Sequence, residues 1–398
     1  MSASLRGLFD RYHTIVCAGS GGVGKTTTAA ALALWGAMNG RRTVVLTIDP
    51  ARRLADSLGL RLAGGEEVSI SGEILEAHSI RLSGSLSAKM LDQKGAWDAL
   101  VERHAPSPEV RDRILGNRFY QHLSQSFAGS HEYMAIEELC SLQESGRYDL
   151  IVVDTPPSRH ALDFLEAPRR IADFLDRRIV RWFVKPSVAA GWSTMQFMNR
   201  TTGFVLRKLE EATGTSVLVE VSDFFASMGG MFEGFSERVE RVYRALRGKE
   251  TGFVLISSPE ELALEEAEYL TERMSGLGMP LRAVVLNRVH TEFTDPIDRR
   301  DFPRGDIRSE DVGRVEDVLA RAGIRPAPLV TKLARNFVDY QTLARGDGLR
   351  IEQFCSSLGR RIPVVQVPNF SSDLHDIGAL RRMHPFLFGE MPSPARSC

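Results

Sequence analysis

The residues whose types and spacing best suit chemistry form a glycine-rich run, Gly19-Ser20-Gly21-Gly22-Val23-Gly24-Lys25-Thr26, with Thr27 directly after it. Glycines let backbone N–H groups turn inward around phosphate oxygens, and the helix expected next points the positive end of its dipole at the same place. Lys25 can reach the β- and γ-phosphates, and the Thr26 hydroxyl can ligate Mg²⁺. The whole run, Thr27 included, is therefore predicted to bind a nucleoside triphosphate.

Two aspartates at the ends of predicted strands can complete such a site. Leu150–Val153 is an apolar run that ends at Asp154, which puts a carboxylate at the carboxyl edge of a sheet, where it can hold the metal through water. Asp49 follows another such run and can orient the attacking water or join the metal shell. Capping of the next helix is the alternative role for both. The predicted catalytic groups are Asp49 and Lys25. The predicted metal ligands are Thr26, Asp49 and Asp154.

Short apolar runs at both ends of the chain predict the elements that position these residues. The predicted strands are Thr14–Ala18, Thr43–Ile48, Leu150–Val153, Phe253–Ser257, Ala283–Leu286 and Val364–Val367. Helical patterns separate them, and such alternation favours a mostly parallel sheet flanked by helices. The sequence therefore predicts an α/β fold of the P-loop NTPase type.

The middle of the chain is helical in pattern, with few strand signals, which predicts an α-helical subdomain inserted into the sheet domain. Phenylalanine and methionine are frequent between residues 167 and 247. They are interpreted either as the core of this subdomain or as an adaptable surface for apolar helices. The expected extents are 1–82, 148–166 and 250–389 for the ATPase domain, 83–147 and 167–249 for the helical subdomain, and 390–398 for a disordered tail.

The composition excludes several classes of protein. Hydrophobic residues make up 43% of the 398 residues, as in an ordinary globular protein, and the net charge of -1 gives no support for a nucleic-acid partner. The four cysteines are scattered without a C-x-x-C pair, so no zinc site is indicated. The longest apolar run is too short to span a bilayer. We expect a cytoplasmic protein without an integral membrane segment, whose membrane role, if it has one, is peripheral.

Three segments together resemble a known family. Gly21–Thr26, Asp49-Pro50-Ala51 and Asp154–His160 are similar to the family of the arsenite-pump ATPase and of the guided-entry ATPase that targets tail-anchored membrane proteins. This family belongs to the deviant Walker A class of P-loop ATPases. The resemblance continues through Ser126–Asp154, Ala283–Asn287 and Pro368–Asp376, and so covers most of the chain.

The resemblance implies ATP and Mg²⁺ as cofactors and gives several residues specific roles. Asp49 matches the first switch aspartate, which activates the hydrolytic water, and Asp154–His160 matches the second switch, which relays loss of the γ-phosphate to the helical subdomain. Asn287 matches the asparagine that recognises adenine, and Pro368 lies where the family packs a proline against the base. A strand-end turn at Asn287, a strand terminator at Pro368 and a helix start at His160 are the alternatives.

The sequence departs from the family at Ser20, where members usually carry a signature lysine that reaches the partner subunit's nucleotide. A charge supplied in trans can contribute about 10³–10⁵ in the rate of phosphoryl transfer. We therefore expect a low rate, a substitute cation such as Arg159, or a related subunit that supplies the lysine.

The resemblance implies a dimeric ATPase that couples its nucleotide state to a helical client- or partner-binding subdomain, either as a homodimer or with a related subunit. Two alternatives stay open: the energising subunit of an arsenite-type efflux system, and a weakly active regulatory subunit of a heterodimer. The scattered cysteines argue against the first, and Ser20 makes the second plausible.

Overall fold

A computed structural model of the chain describes residues 4–48, 53–60, 65–126, 130–156, 243–292, 309–324, 327–358 and 362–389, with a few positions between 223 and 241. Its strands are β1 (Thr14–Gly19), β2 (Arg42–Thr47), β3 (Glu67–Ser69), β4 (Ser85–Met90), β5 (Leu150–Asp154), β6 (Thr251–Ser257), β7 (Leu281–Val289) and β8 (Val364–Pro368). Its helices are α1 (Arg6–Arg11), α2 (Lys25–Met38), α3 (Arg53–Leu58), α4 (Gly72–Ala77), α5 (Gln93–His104), α6 (Pro108–Leu115), α7 (Arg118–Ser126), α8 (Ser130–Glu144), α9 (Glu261–Gly276), α10 (Ser309–Arg321), α11 (Ala327–Leu358), α12 (Ile377–Arg381) and α13 (His384–Phe388).

The strands form one sheet in the order β3-β4-β2-β5-β1-β6-β7-β8. All neighbouring strands run parallel except β3 and β4, which are antiparallel. The prediction of a mostly parallel, helix-flanked sheet is confirmed, and so are the six predicted strands. Because the strands are parallel, the carboxyl ends of β1, β2, β5, β6 and β7 meet along one edge.

Strand β4 corrects one expectation. Ser85–Met90 pairs with β2 along six residues, although the sequence predicts a helical subdomain that starts at residue 83. Its polar residues alternate with Leu86, Ala88 and Met90, so it lacks the continuous apolar run that marks the central strands. The remaining division into an ATPase domain and a helical subdomain stays a prediction.

Successive side chains of a strand point to opposite faces of the sheet, so the two faces contribute to different hydrophobic cores. On one face, Val16, Val44 and Val153 pack with helices α5–α8. On the same face, further along the sheet, Leu255 and Leu286 pack with α9 and α11. The other face packs mainly against α2, α12 and α13.

Few positions between residues 157 and 242, the second part of the predicted helical subdomain, are described, and Phe224 is one of them. It is buried, with its ring 5.3 Å from Phe119 and 6.2 Å from Tyr120. Phe224 is therefore a core residue, whereas the other phenylalanines and methionines between 167 and 222, and those between 228 and 239, lie outside the described residues. Among the helices that are described, none combines the length and the apolarity needed to cross a bilayer.

Candidate nucleotide site

The glycine-rich run connects β1 to α2, the strand–loop–helix arrangement that the sequence predicts. Gly19 packs so closely on β6 that a Cβ there would overlap the Ile256 carbonyl oxygen. Gly24 has φ 93° and caps α2, and a Cβ there would overlap the amide of Asn287. Both positions require glycine. The loop is therefore held between a neighbouring strand and the amino end of α2, whose N–H groups and dipole favour an anion.

Lys25 is buried at the start of α2, and its ammonium folds back on the loop. Nζ donates a hydrogen bond of 2.6 Å to the carbonyl oxygen of Ser20. A buried ammonium is costly unless its donors are satisfied, so this bond fixes the side chain against the loop. The charge thus lies against the phosphate-binding loop; the predicted role of Lys25 in catalysis stays a prediction.

Asp154 lies at the carboxyl end of β5 and is fully buried. Its Oδ2 accepts hydrogen bonds from Thr26 Oγ1 at 2.8 Å and from Thr47 Oγ1 at 3.1 Å. The predicted pair of metal ligands, Thr26 and Asp154, is thus in direct contact. Magnesium is usually held by one or two carboxylates together with substrate phosphates, and these oxygen ligands fit that requirement.

The ends of β2 and β5 are also joined through their backbones. Ile48 N–H donates to the Asp154 carbonyl at 3.1 Å, so the chain leaves β2 for Asp49 beside the predicted metal site. Asp49 itself lies outside the described residues, as does the segment 157–222 that includes Arg159 and His160. The predicted role of Asp49 in catalysis and metal binding stays a prediction.

The start of the predicted second switch is anchored to the strand that feeds the loop. Thr155 Oγ1 donates to the carbonyl oxygen of Cys17 at 2.7 Å, and Thr155 is buried. Burial raises the pKa of the Cys17 thiol well above its usual value, and the charge of Asp154 adds to this effect. Cys17 is therefore a neutral packing residue beside the site.

Asn287, near the end of β7, contacts the phosphate-binding loop. Its Nδ2 donates to the carbonyl oxygen of Val23 at 2.9 Å. A carbonyl oxygen can only accept, so the amide nitrogen faces the loop and Oδ1 points elsewhere. Pro368 ends β8, the strand next to β7. It pairs with Val289, which lies two residues after Asn287 on β7.

Ser20 is buried within the loop. Among the described residues, no side chain or backbone group forms a hydrogen bond with its Oγ. Ser20 is therefore a small residue packed inside the loop. At this position, members of the family that the sequence resembles usually carry the signature lysine.

The structure brings together most of the predicted site. The loop from Gly19 to Thr26, with Thr27 in the first turn of α2, meets Asp154 and Asn287 at one edge of the sheet. Sequence reasoning missed Thr47, and it included Thr155 only as part of the second switch segment. The available signal for Thr47 was its place at the end of β2, two residues before Asp49.

Comparison with known proteins agrees with this geometry. Residues 12–335 match the model of a family described as anion-transporting ATPase. The ATPase GET3 of Malassezia globosa is 27% identical over 275 residues, which cover 69% of this chain and 72% of the relative. The putative arsenical pump-driving ATPase 2 of Aquifex aeolicus is 26% identical over 283 residues, which cover 69% of this chain and 79% of the relative. ATPase GET3B of Arabidopsis thaliana is 26% identical over 336 residues, covering 78% and 73%.

Proposed function

This chain belongs to the anion-transporting ATPase family, and from that premise we propose that it is a dimeric, Mg²⁺-dependent switch that couples its ATP cycle to a helical partner-binding region. The observation that carries the proposal is the contact of Thr26 and Thr47 with Asp154 beside Lys25. A hydroxyl, a carboxylate and an ammonium converge there at the amino end of α2. Phosphoryl transfer depends mainly on such positioning and on charge stabilisation.

Each group has a defined task in this proposal. Lys25 moves from the Ser20 carbonyl to the β- and γ-phosphate oxygens of ATP, and the loop N–H groups hold the same phosphates. Thr26 and Asp154 would hold Mg²⁺, which would supply positive charge to offset the charge that develops on the phosphate oxygens. Asp49 orients the attacking water. Thr47 keeps the Asp154 carboxylate in place.

Asn287 supports a preference for adenine. Because its Nδ2 donates to Val23, the atom that it offers to a base is the acceptor Oδ1. The exocyclic amino group of adenine is a donor, whereas guanine carries an acceptor at the corresponding position. Placing two acceptors face to face leaves both unsatisfied, which costs about 1–3 kcal/mol when the groups are buried. We expect ATP to bind more tightly than GTP, with Pro368 beside the base.

A continuous path supports coupling between the site and the helices. Helix α8 packs in the core shared by α5–α7 and leads through residues 145–149 into β5, which ends at Asp154. Lys89 on β4 and Glu138 on α8 form an ion pair of 2.7 Å, with both side chains mostly buried. A shift at Asp154 and Thr155 would therefore act on α8 through a short, well-packed connection.

The proposal is tested by steady-state hydrolysis of ATP with Mg²⁺ and by light scattering with a non-hydrolysable ATP analogue. We expect measurable hydrolysis that Lys25→Ala abolishes, and a doubling of mass with the analogue. Lys332→Ala is the matched control, because Lys332 is exposed on α11. Hydrolysis that persists in Lys25→Ala would contradict the assigned site, and a monomer with bound analogue would contradict the dimeric switch.

The rate is expected to be low because Ser20 replaces the signature lysine. Ser20→Lys in a folded, dimeric protein is expected to raise the rate at least about tenfold, a small part of what a charge in trans can supply. If the rate stays unchanged, the missing lysine is not what limits it. In that case, Arg159→Ala would show whether Arg159 already supplies the charge.

A role as the energising subunit of arsenite efflux is the second candidate, favoured by the name of the Aquifex aeolicus relative. Cys17 and Cys140 are both buried, so neither offers an accessible thiolate. In the same hydrolysis assay, a rise in rate on addition of arsenite would favour this candidate over the client-binding switch.

A further inference from the structure

A polar network around the buried Asp347 joins α11 to the residues that end and follow β7. We propose that its central residue, Asp347, is a positioning residue that holds Asn287 in the orientation that selects adenine. Asp347 lies 60 residues after Asn287 in the sequence, and it contacts His290, directly after β7, rather than Asn287 itself. The inference rests on the proposed recognition of adenine by Asn287.

The end of β7 is irregular directly after Asn287. Arg288 has φ 59°, and the pairing of β7 with β8 shifts register between Leu286 and Val289. A residue other than glycine rarely adopts this left-handed conformation. Such a conformation persists only where the surrounding contacts determine it. The contacts that hold this turn therefore decide how the side chain of Asn287 is presented.

One such contact is the carboxylate of Asp347, which is buried on α11. Its Oδ2 accepts from the backbone N–H of His290 at 3.0 Å and lies 2.8 Å from His290 Nδ1. A carboxylate that pairs with a backbone donor and a charged neighbour acts as an acceptor, so Nδ1 carries the proton of this bond. Asp347 thus holds His290 through hydrogen bonds to both its backbone and its ring.

Arg350 binds the second oxygen of the Asp347 carboxylate. Its Nη2 donates to Asp347 Oδ1 at 2.7 Å, and its Nε donates to the Pro259 carbonyl at 2.6 Å, in the segment after β6. Tyr340 adds a further support on the same helix, since its hydroxyl accepts from Thr291 N–H at 3.3 Å and its ring meets His290 edge-on at 5.4 Å. Helix α11 therefore braces the segments that follow both β6 and β7.

Asn287 is consequently held between two anchors. On one side its own amide bonds to Val23 in the phosphate-binding loop, and on the other side Asp347 fixes His290 three residues later. Loss of the second anchor releases the turn at Arg288, and the Asn287 amide can then rotate. The phosphate-binding groups on β1, α2 and β5 keep their own contacts. Base selectivity should therefore fall while phosphate affinity stays.

The test compares the dissociation constants of ATP, GTP and inorganic tripolyphosphate, each with Mg²⁺, for the full chain and for Asp347→Asn. We expect ATP affinity to fall about tenfold in Asp347→Asn, the ratio of GTP to ATP dissociation constants to approach one, and tripolyphosphate affinity to change less than about twofold. Asp339→Asn is the matched control, because Asp339 is exposed on the same helix. It should leave all three constants unchanged.

A second pair of variants covers the case in which Asp347→Asn fails to fold. His290→Asn keeps a donor near the place of Nδ1, and His290→Ala removes it. We expect the ratio to be retained in His290→Asn and reduced in His290→Ala. An unchanged ratio in a folded Asp347→Asn or His290→Ala overturns the inference about Asp347. A wild-type chain that does not distinguish ATP from GTP would instead overturn the proposed role of Asn287, and the inference with it.

Discussion

At the scale of single residues, the most constrained group of the site is the carboxylate of Asp154. A fully buried carboxylate is costly unless it accepts hydrogen bonds, and two threonine hydroxyls supply them. Thr26 is a predicted metal ligand and would exchange this bond for the metal. Thr47 is not a predicted metal ligand, so its hydroxyl would continue to hold Asp154 if Mg²⁺ were bound.

Thr47→Val tests whether the Thr47 hydroxyl orients Asp154, because valine keeps the shape of threonine and removes only the hydroxyl. Partners of a metal ligand typically contribute about 10–100-fold to metal affinity. We therefore expect the Mg²⁺ concentration for half-maximal hydrolysis to rise about tenfold. Thr271→Val, which removes a threonine hydroxyl bonded to the helix backbone on α9, is the control and should leave that concentration unchanged. If both variants behave like the wild type, Thr47 does not orient Asp154.

The residues of the site differ in how well the sequence predicts them. Lys25, Thr26 and Asp154 belong to motifs in which spacing along the chain reflects the chemistry, and the structure brings them together. Thr47 and Asp347 act across distances of 107 and 57 residues, through contacts with Asp154 and His290. No local pattern marks them, since a threonine that ends a strand or an aspartate in a helix has many ordinary roles.

At the scale of elements, α2 sets the position of the phosphate-binding loop by packing closely on the sheet. Gly36 is buried on this helix, and a Cβ there would lie 2.5 Å from Leu150 Cδ2 and 3.0 Å from Thr43 Oγ1. The helix can approach β2 and β5 this closely only because Gly36 has no side chain.

Gly36→Ala should therefore destabilise the protein, although alanine is the better helix former. The overpacking costs about 1–3 kcal/mol and the better helix propensity of alanine returns about 1 kcal/mol, so the free energy of unfolding is expected to fall by up to about 2 kcal/mol. Gly7→Ala in α1 is the control, because a Cβ there meets no atom within 4 Å and should be neutral or slightly stabilising. Urea unfolding of the two variants measures the difference. A Gly36→Ala protein as stable as Gly7→Ala would show that α2 can move away from the sheet.

Prediction of the elements from sequence succeeded where burial on both faces leaves a continuous apolar run, as in β5 and β6. It missed β3, which is an edge strand, and β4, which is covered on its outer side only by the three-residue β3. Such weakly covered positions tolerate serine, lysine and glutamate, so the apolar run disappears.

At the scale of the whole molecule, the two ends of the described chain are tied together over the face of the sheet covered by α2. Leu5 N–H donates to the Leu387 carbonyl at 3.0 Å, and Ser4 Oγ donates to the Phe388 carbonyl at 3.0 Å. His384 is buried between them and α2, with its Nε2 bonded to the Ala31 carbonyl at 2.9 Å. Burial lowers the pKa of His384 to about 4. The hydrogen bond to Ala31 opposes this effect, and the charge of Arg381 adds a smaller lowering.

This buried histidine predicts a dependence of stability on pH. The folded state keeps His384 neutral down to about pH 4, whereas the unfolded chain takes up its proton near pH 6.5. The unfolded state therefore binds more protons between these values, and stability falls as the pH is lowered through this window. The loss is at most about 3 kcal/mol, at about 1.4 kcal/mol per pH unit.

Urea unfolding at pH 7, 5.5 and 4 checks this expectation. His384→Gln can keep a donor for Ala31 and has no proton to gain, so it should lose less stability than the wild type over the same range. His375→Gln removes an exposed histidine and should follow the wild type. Parallel pH profiles for the wild type and His384→Gln would refute the assignment.

The central claim is that the loop, Thr26 and Asp154 form one ATP·Mg²⁺ site in each chain, and calorimetric titration tests it most directly. ATP is titrated into the wild type and into Asp154→Asn, with Mg²⁺ or with EDTA. We predict one ATP per chain, an affinity at least about tenfold higher with Mg²⁺ than with EDTA in the wild type, and loss of most of that difference in Asp154→Asn. Equal affinities with Mg²⁺ and EDTA in the wild type, or an undiminished effect of Mg²⁺ in Asp154→Asn, would contradict the account.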